Sequence, residues 1–92
     1  MSRSALDSFA GVLEAIGSRL GGLSVVAATL RDPAGAPLPL TTVTSWRDRE
    51  AVPPGYWLQI VALARTCGLT SVTIVRMAKI AQANLGARSR AA

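Results

Sequence analysis

Leu6, Phe9, Leu13, Ile16 and Leu20 recur at steps of three and four, with Asp7 and Glu14 on other faces, which is the pattern of an amphipathic helix. The spacing predicts a first helix from about residue 5 to Ile16 or slightly beyond, capped by Ser4 and ended by Gly17 or by the pair Gly21 and Gly22. Residues 23–30 read as a short second helix. Ser24 is its expected N-cap, Val26, Ala27 and Leu30 form its inward face, and Ala27 is small enough for another helix to approach closely. Three prolines and a glycine between Arg31 and Pro39 then stop regular structure. Pro39 has no amide hydrogen to lose in a first turn, so a third helix is expected over about 39–47. On it Val43 and Trp46 share one face and turn toward the core, while Leu40, Thr41, Thr44 and Ser45 point elsewhere.

Pro53 and Pro54 interrupt the chain again, and a fourth helix should start near Pro54, carry Tyr56, Trp57, Ile60, Val61, Leu63 and Ala64, and stop at Gly68. Tyr56 and Trp57 are adjacent, so one is expected to cover the core and the other to sit partly exposed. The β-branched run 69–75 would suit a strand taken alone. From Thr73 onward, however, Ile74, Met77, Ala78, Ala81 and Leu85 keep helical spacing, which predicts a fifth helix capped by Thr73 or Ser71 and closed by Gly86. The expected fold is all-α: one domain over residues 1–86 with about five short helices, and a flexible basic tail at 87–92.

Composition narrows the function. The 92 residues suit one small domain, and ten basic against five acidic side chains, with no histidine, give a formal charge of +5. An acidic partner is favoured. Nine of the ten cations are arginine, whose planar fork suits phosphate or guanine. The single cysteine, Cys67, can form no internal disulfide and has no His or second Cys beside which to bind zinc, so neither metal nor cofactor is expected. The carboxylates form no pair, and no phosphate loop or nucleophile signature occurs, so no catalysis is expected. Asp7 and Glu14 interrupt the first apolar segment and no stretch approaches about 20 apolar residues, which leads to the expectation of a cytoplasmic protein with no membrane partner.

The third helix carries the candidate chemistry. Its hydroxyl edge is short enough to approach base edges, and Arg47 and Arg49 follow where guanidinium groups would reach phosphates. Gly21 Gly22, Val26 Ala27, Thr42 Val43, Trp46 Arg47 and Val52 Pro53 with Trp57 resemble, over about residues 6–80, the lambda-repressor-like, Cro-type helix-turn-helix regulators of phages and bacteria. The resemblance implies that Ala27 sits where the two helices cross and that Leu30, Leu38, Val43 and Trp46 are inward. It implies a DNA-facing set of Ser24, Leu40, Thr41, Thr42, Thr44 and Ser45, flanked by Arg47 and Arg49. Two departures stand out. Leu40 replaces what is often a polar residue, and the turn is lengthened by about six residues between Arg31 and Pro37, where Arg31 offers a backbone contact.

The expectation is therefore a sequence-specific double-stranded DNA-binding transcriptional regulator. One small helix reads few base pairs, so a homodimer on an inverted repeat is expected, or binding beside another regulator or the transcription machinery. The helix of about 73–85 is the expected dimer interface, because Ile74, Met77, Ile80 and Leu85 offer more apolar surface than one inward stripe consumes. The alternative is a protein-interaction module that retains the helix-turn-helix fold: an antirepressor, an antitoxin-like partner or a transcription adaptor.

Overall fold

The computed structural model describes the backbone of residues 5–91 and the side chains of 6–86. Among the described residues five α-helices, α1 (Phe9–Leu20), α2 (Leu23–Thr29), α3 (Leu40–Arg49), α4 (Trp57–Thr66) and α5 (Ile74–Ala91), enclose a core whose buried residues are all apolar. Phe9, Val12, Leu13 and Ile16 of α1 meet Val26, Ala27, Val43, Trp46, Ile60, Ala64 and Met77 there. The all-helical architecture follows from the 3.6-residue period of those positions.

α1 begins later than its apolar spacing suggested. A 3-10 turn spans Ala5–Asp7, and Ser8 caps the helix by accepting from the Gly11 amide at 2.9 Å. The expected cap, Ser4, lies outside the described residues. At the other end Gly17 O accepts from both Gly21 N at 2.9 Å and Gly22 N at 2.7 Å, and the chain bends by 92° into α2. Gly21 at φ 106° and Gly22 at φ 131° take conformations that L side chains rarely adopt. A Cβ on Gly17 would lie 3.3 Å from the Gly22 carbonyl carbon and the Leu23 amide, so the bend also needs a bare backbone there.

Because Gly22 completes the bend, α2 starts at once. Gly22 occupies the cap position and Ser24, expected there, is an exposed residue of the first turn. The following segment is irregular but tied down. Arg31 and Pro37 form an isolated antiparallel bridge, and Asp32 Oδ1 accepts from Ala34 N and Ala36 N, both at 2.9 Å. Gln59 of α4 holds its base: Arg31 N donates to Gln59 Oε1 at 2.8 Å and Gln59 Nε2 donates to Arg31 O at 2.9 Å. Leu38 then enters the core, its amide donating to Ala27 O at 3.1 Å.

Pro53 leads through a 3-10 turn (Pro54–Tyr56) into α4. Tyr56 and Trp57 both pack on the core instead of dividing into one covered and one exposed ring. Tyr56 lies 4.9 Å from Trp46, and Trp57 lies 6.2 Å from Phe9 while its Nε1 donates to Val52 O at 2.9 Å. Tilted aromatic pairs and a satisfied indole make both placements favourable. Thr73 caps α5 by accepting from Arg76 N at 3.1 Å. Gly86 does not close that helix, which continues to Ala91 through the segment expected to be a tail. Gly86 has no positive φ, and good helix formers flank it.

Candidate nucleic-acid interface

α3 is held along one side and at both ends. Val43 is fully buried and Trp46 nearly so, which fixes the rotation of the helix about its axis. Leu38 anchors the approach to its first turn. Glu50, its C-cap at φ 54°, anchors the last: the carboxylate accepts from Phe9 N at 2.7 Å and Ala10 N at 2.8 Å, and Asn84 Nδ2 of α5 donates to Glu50 O at 3.0 Å and Oε2 at 3.1 Å. Glu50 thus joins the end of α3, the start of α1 and the middle of α5.

With that side engaged, the opposite side meets solvent. Leu40 is 45% exposed and Thr41 is exposed, while Thr42, Thr44 and Ser45 are half-buried. The Thr44 hydroxyl donates to Thr41 O at 3.1 Å, leaving its lone pairs to accept from outside. Thr41, Thr42, Ser45 and Arg49 come together along one open groove of about 680 Å³ whose other wall is Val52, Pro53 and Pro54. The remaining candidates do not join them there. Leu40 stands at the first position of α3 and Ser24 in the first turn of α2.

Arg47 lies on the other flank of α3. Its Nε donates to Asp48 Oδ1 at 3.1 Å and lies 4.0 Å from Glu14 Oε1, next to the turn at Gly21 and Gly22. Both acids are largely exposed, so each pairing is weak. Asp48 also shares the outward face, since 41, 45 and 48 follow at steps of four and three. Arg31, expected to offer a backbone contact, is exposed, and its Nη1 donates to Ala28 O at 2.6 Å at the end of α2.

The positioning roles of Glu50, Gln59 and Asn84 went unread in the sequence. Their partners lie 41, 28 and 34 residues away, beyond any local spacing rule. Of the four α5 residues expected to offer more apolar surface than one inward stripe consumes, Met77 and Ile80 are buried in this chain's own core and Ile74 and Leu85 are exposed. Among the described residues no three His, Cys, Asp or Glu side chains gather as a metal site, and no single helix is long and apolar enough to cross a membrane.

Comparison with protein-family models, with curated proteins and with solved structures found no match.

Proposed function

We propose that this chain is a sequence-specific reader of duplex DNA and acts in transcriptional regulation. α2 and α3 serve as the helix-turn-helix, and the amino-terminal half of α3 enters the major groove. The observation that carries this reading is the division of α3: Val43 and Trp46 buried on one side, Leu40, Thr41, Thr44 and Ser45 toward solvent on the other, in a chain of net charge +5. A short helix with small hydroxyl side chains allows close approach to base edges, and Leu40 offers an apolar contact to a thymine methyl. Arg49, on the rim of the groove, and Ser24, at the start of α2, serve phosphates. Arg47 contributes less than its position in the sequence suggests, because the neighbouring Asp48 and Glu14 carboxylates offset its charge toward a phosphate.

Selection from random duplexes, followed by titration of the selected site at several salt concentrations, tests this. A recurrent motif is expected, with affinity falling steeply as salt rises. Thr41→Ala combined with Ser45→Ala shifts the preferred sequence, whereas Arg49→Ala weakens binding to all sites alike. Equal, weak binding to every duplex at physiological salt overturns the reading.

A further inference from the structure

The outer face of α5 is a second candidate surface, independent of the DNA reading. Ile74, Val75, Ala78 and Ala83 line a shallow track of about 760 Å³ along this helix, with Val75 64% exposed and Leu85, further along, 67% exposed. No other element of the described chain lines it. Ile74, Val75 and Ala78 are exposed side by side, with Lys79 and Gln82 also lining the track, and neighbouring exposed apolar side chains mark an interaction site more often than a scatter of single residues does.

Charge indicates what covers it. Lys79 stands at the edge of the track and forms no ion pair or hydrogen bond among the described residues, whereas Arg76, one turn earlier, is taken up by Asp7 at 2.9 Å. α5 contains no acidic residue along its whole length, so nothing in the helix compensates Lys79. A second copy would bring another such helix and another +5 to the same place. α5 also lacks the aromatic residues that anchor interfacial helices in lipid. The small side chains at 78 and 83 leave room for a helix to lie close along the track. We infer that the Ile74, Val75 and Ala78 face of α5 docks an amphipathic helix of another protein that carries acidic residues beside its apolar stripe, with Lys79 pairing to one of them.

The test uses the full chain and two synthetic helical peptides of identical leucine pattern, one flanked by glutamates and the other by lysines. The glutamate peptide should bind with micromolar affinity and the lysine peptide at least about tenfold more weakly. Val75→Glu should reduce glutamate-peptide binding about tenfold and Lys79→Glu by severalfold. Both side chains are exposed, so unchanged helical circular dichroism and melting temperature check that the variants remain folded. Equal binding of the two peptides, or binding that Val75→Glu leaves intact, overturns the inference. So does concentration-dependent self-association abolished by Val75→Glu, which assigns the face to a second copy. Tighter partition onto phosphatidylserine vesicles than onto the glutamate peptide assigns it to a membrane and also overturns it.

Discussion

The Glu50 carboxylate accepts the Phe9 amide at 2.7 Å, so a residue at the end of α3 caps α1 across 41 positions of sequence. The N-terminal turn of a helix leaves donors without intrahelical partners, and a carboxylate there also meets the positive end of the helix dipole. Ser8 and Glu50 together accept from the Phe9, Ala10 and Gly11 amides. The orientation of α3 is thereby coupled to that of α1, and through Asn84 to α5.

Replacing Glu50 with alanine should therefore cost about 1–3 kcal/mol of unfolding free energy, the range for losing a cap together with charged hydrogen bonds. Urea unfolding followed by circular dichroism measures it. Glu50→Gln keeps one acceptor oxygen and should fall between. Glu50→Gly separates the two features of the site, because glycine relieves the φ of 54° yet removes the carboxylate. If Glu50→Gly proves more stable than the parent, relief of backbone strain outweighs the cap.

Trp46 combines burial with an aromatic contact to Tyr56 at 4.9 Å. Trp46→Ala should destabilise by about 3–5 kcal/mol and Trp46→Phe by distinctly less, as large-to-small core changes do. Calorimetric melting of the two variants provides the comparison, and equal losses would mean that the indole's size is not what holds α3.

The facing of Val43 and Trp46 was legible from a spacing of three, as were the five helices, because a 3.6-residue period is local information. Caps and ends were legible less evenly. Ser8 stands inside the apolar run, between Leu6 and Phe9, where spacing gives no sign of a cap, and Glu50 arriving from elsewhere in the chain completes the cap there. Met77 and Ile80 match an interface pattern as well as a core pattern, and the distinction depends on whether this chain or another covers them.

Two glycines of identical composition signal behave oppositely, and substitution should reveal it. Gly21→Ala should destabilise by about 1–2 kcal/mol, since its φ of 106° lies where L side chains are strained. Gly86→Ala should stabilise by up to about 1 kcal/mol, because Gly86 lies within α5 and an added methyl meets open space. Thermal unfolding of both decides the point, and a destabilised Gly86→Ala would mean that the helix does end there.

Gln59 should matter to the lengthened connection between α2 and α3. Its amide donates to and accepts from the Arg31 backbone, so Gln59→Ala removes both bonds while leaving the core untouched. The expected loss is about 1–2 kcal/mol at most globally, with a larger fall in hydrogen-exchange protection of the Arg31 and Ala36 amides. Gln59→Glu keeps the acceptor for Arg31 N but not the donor to Arg31 O, and should recover part of that protection. Unchanged exchange in Gln59→Ala would show that the Asp32 turn and the Arg31 and Pro37 bridge hold the loop unaided.

Asp48 offers a test of the DNA reading in the direction of gain. It is exposed, shares the outward face of α3 with Thr41 and Ser45, and engages Arg47 at 3.1 Å. A carboxylate there repels phosphate and occupies a guanidinium that would otherwise reach it. Asp48→Asn removes the charge, keeps the size, and should raise affinity for the selected duplex about three- to tenfold at low salt. The log–log salt dependence should steepen by up to about one unit as Arg47 becomes available to a phosphate. In the double variant Asp48→Asn with Arg47→Ala, the steepening should vanish while the relief of repulsion remains. Because a pair this exposed contributes little to stability, melting temperature should change by no more than a degree or two, so the gain in binding cannot be attributed to folding. An Asp48→Asn variant that binds the selected duplex no more tightly than the parent would mean that this face of α3 does not lie against DNA.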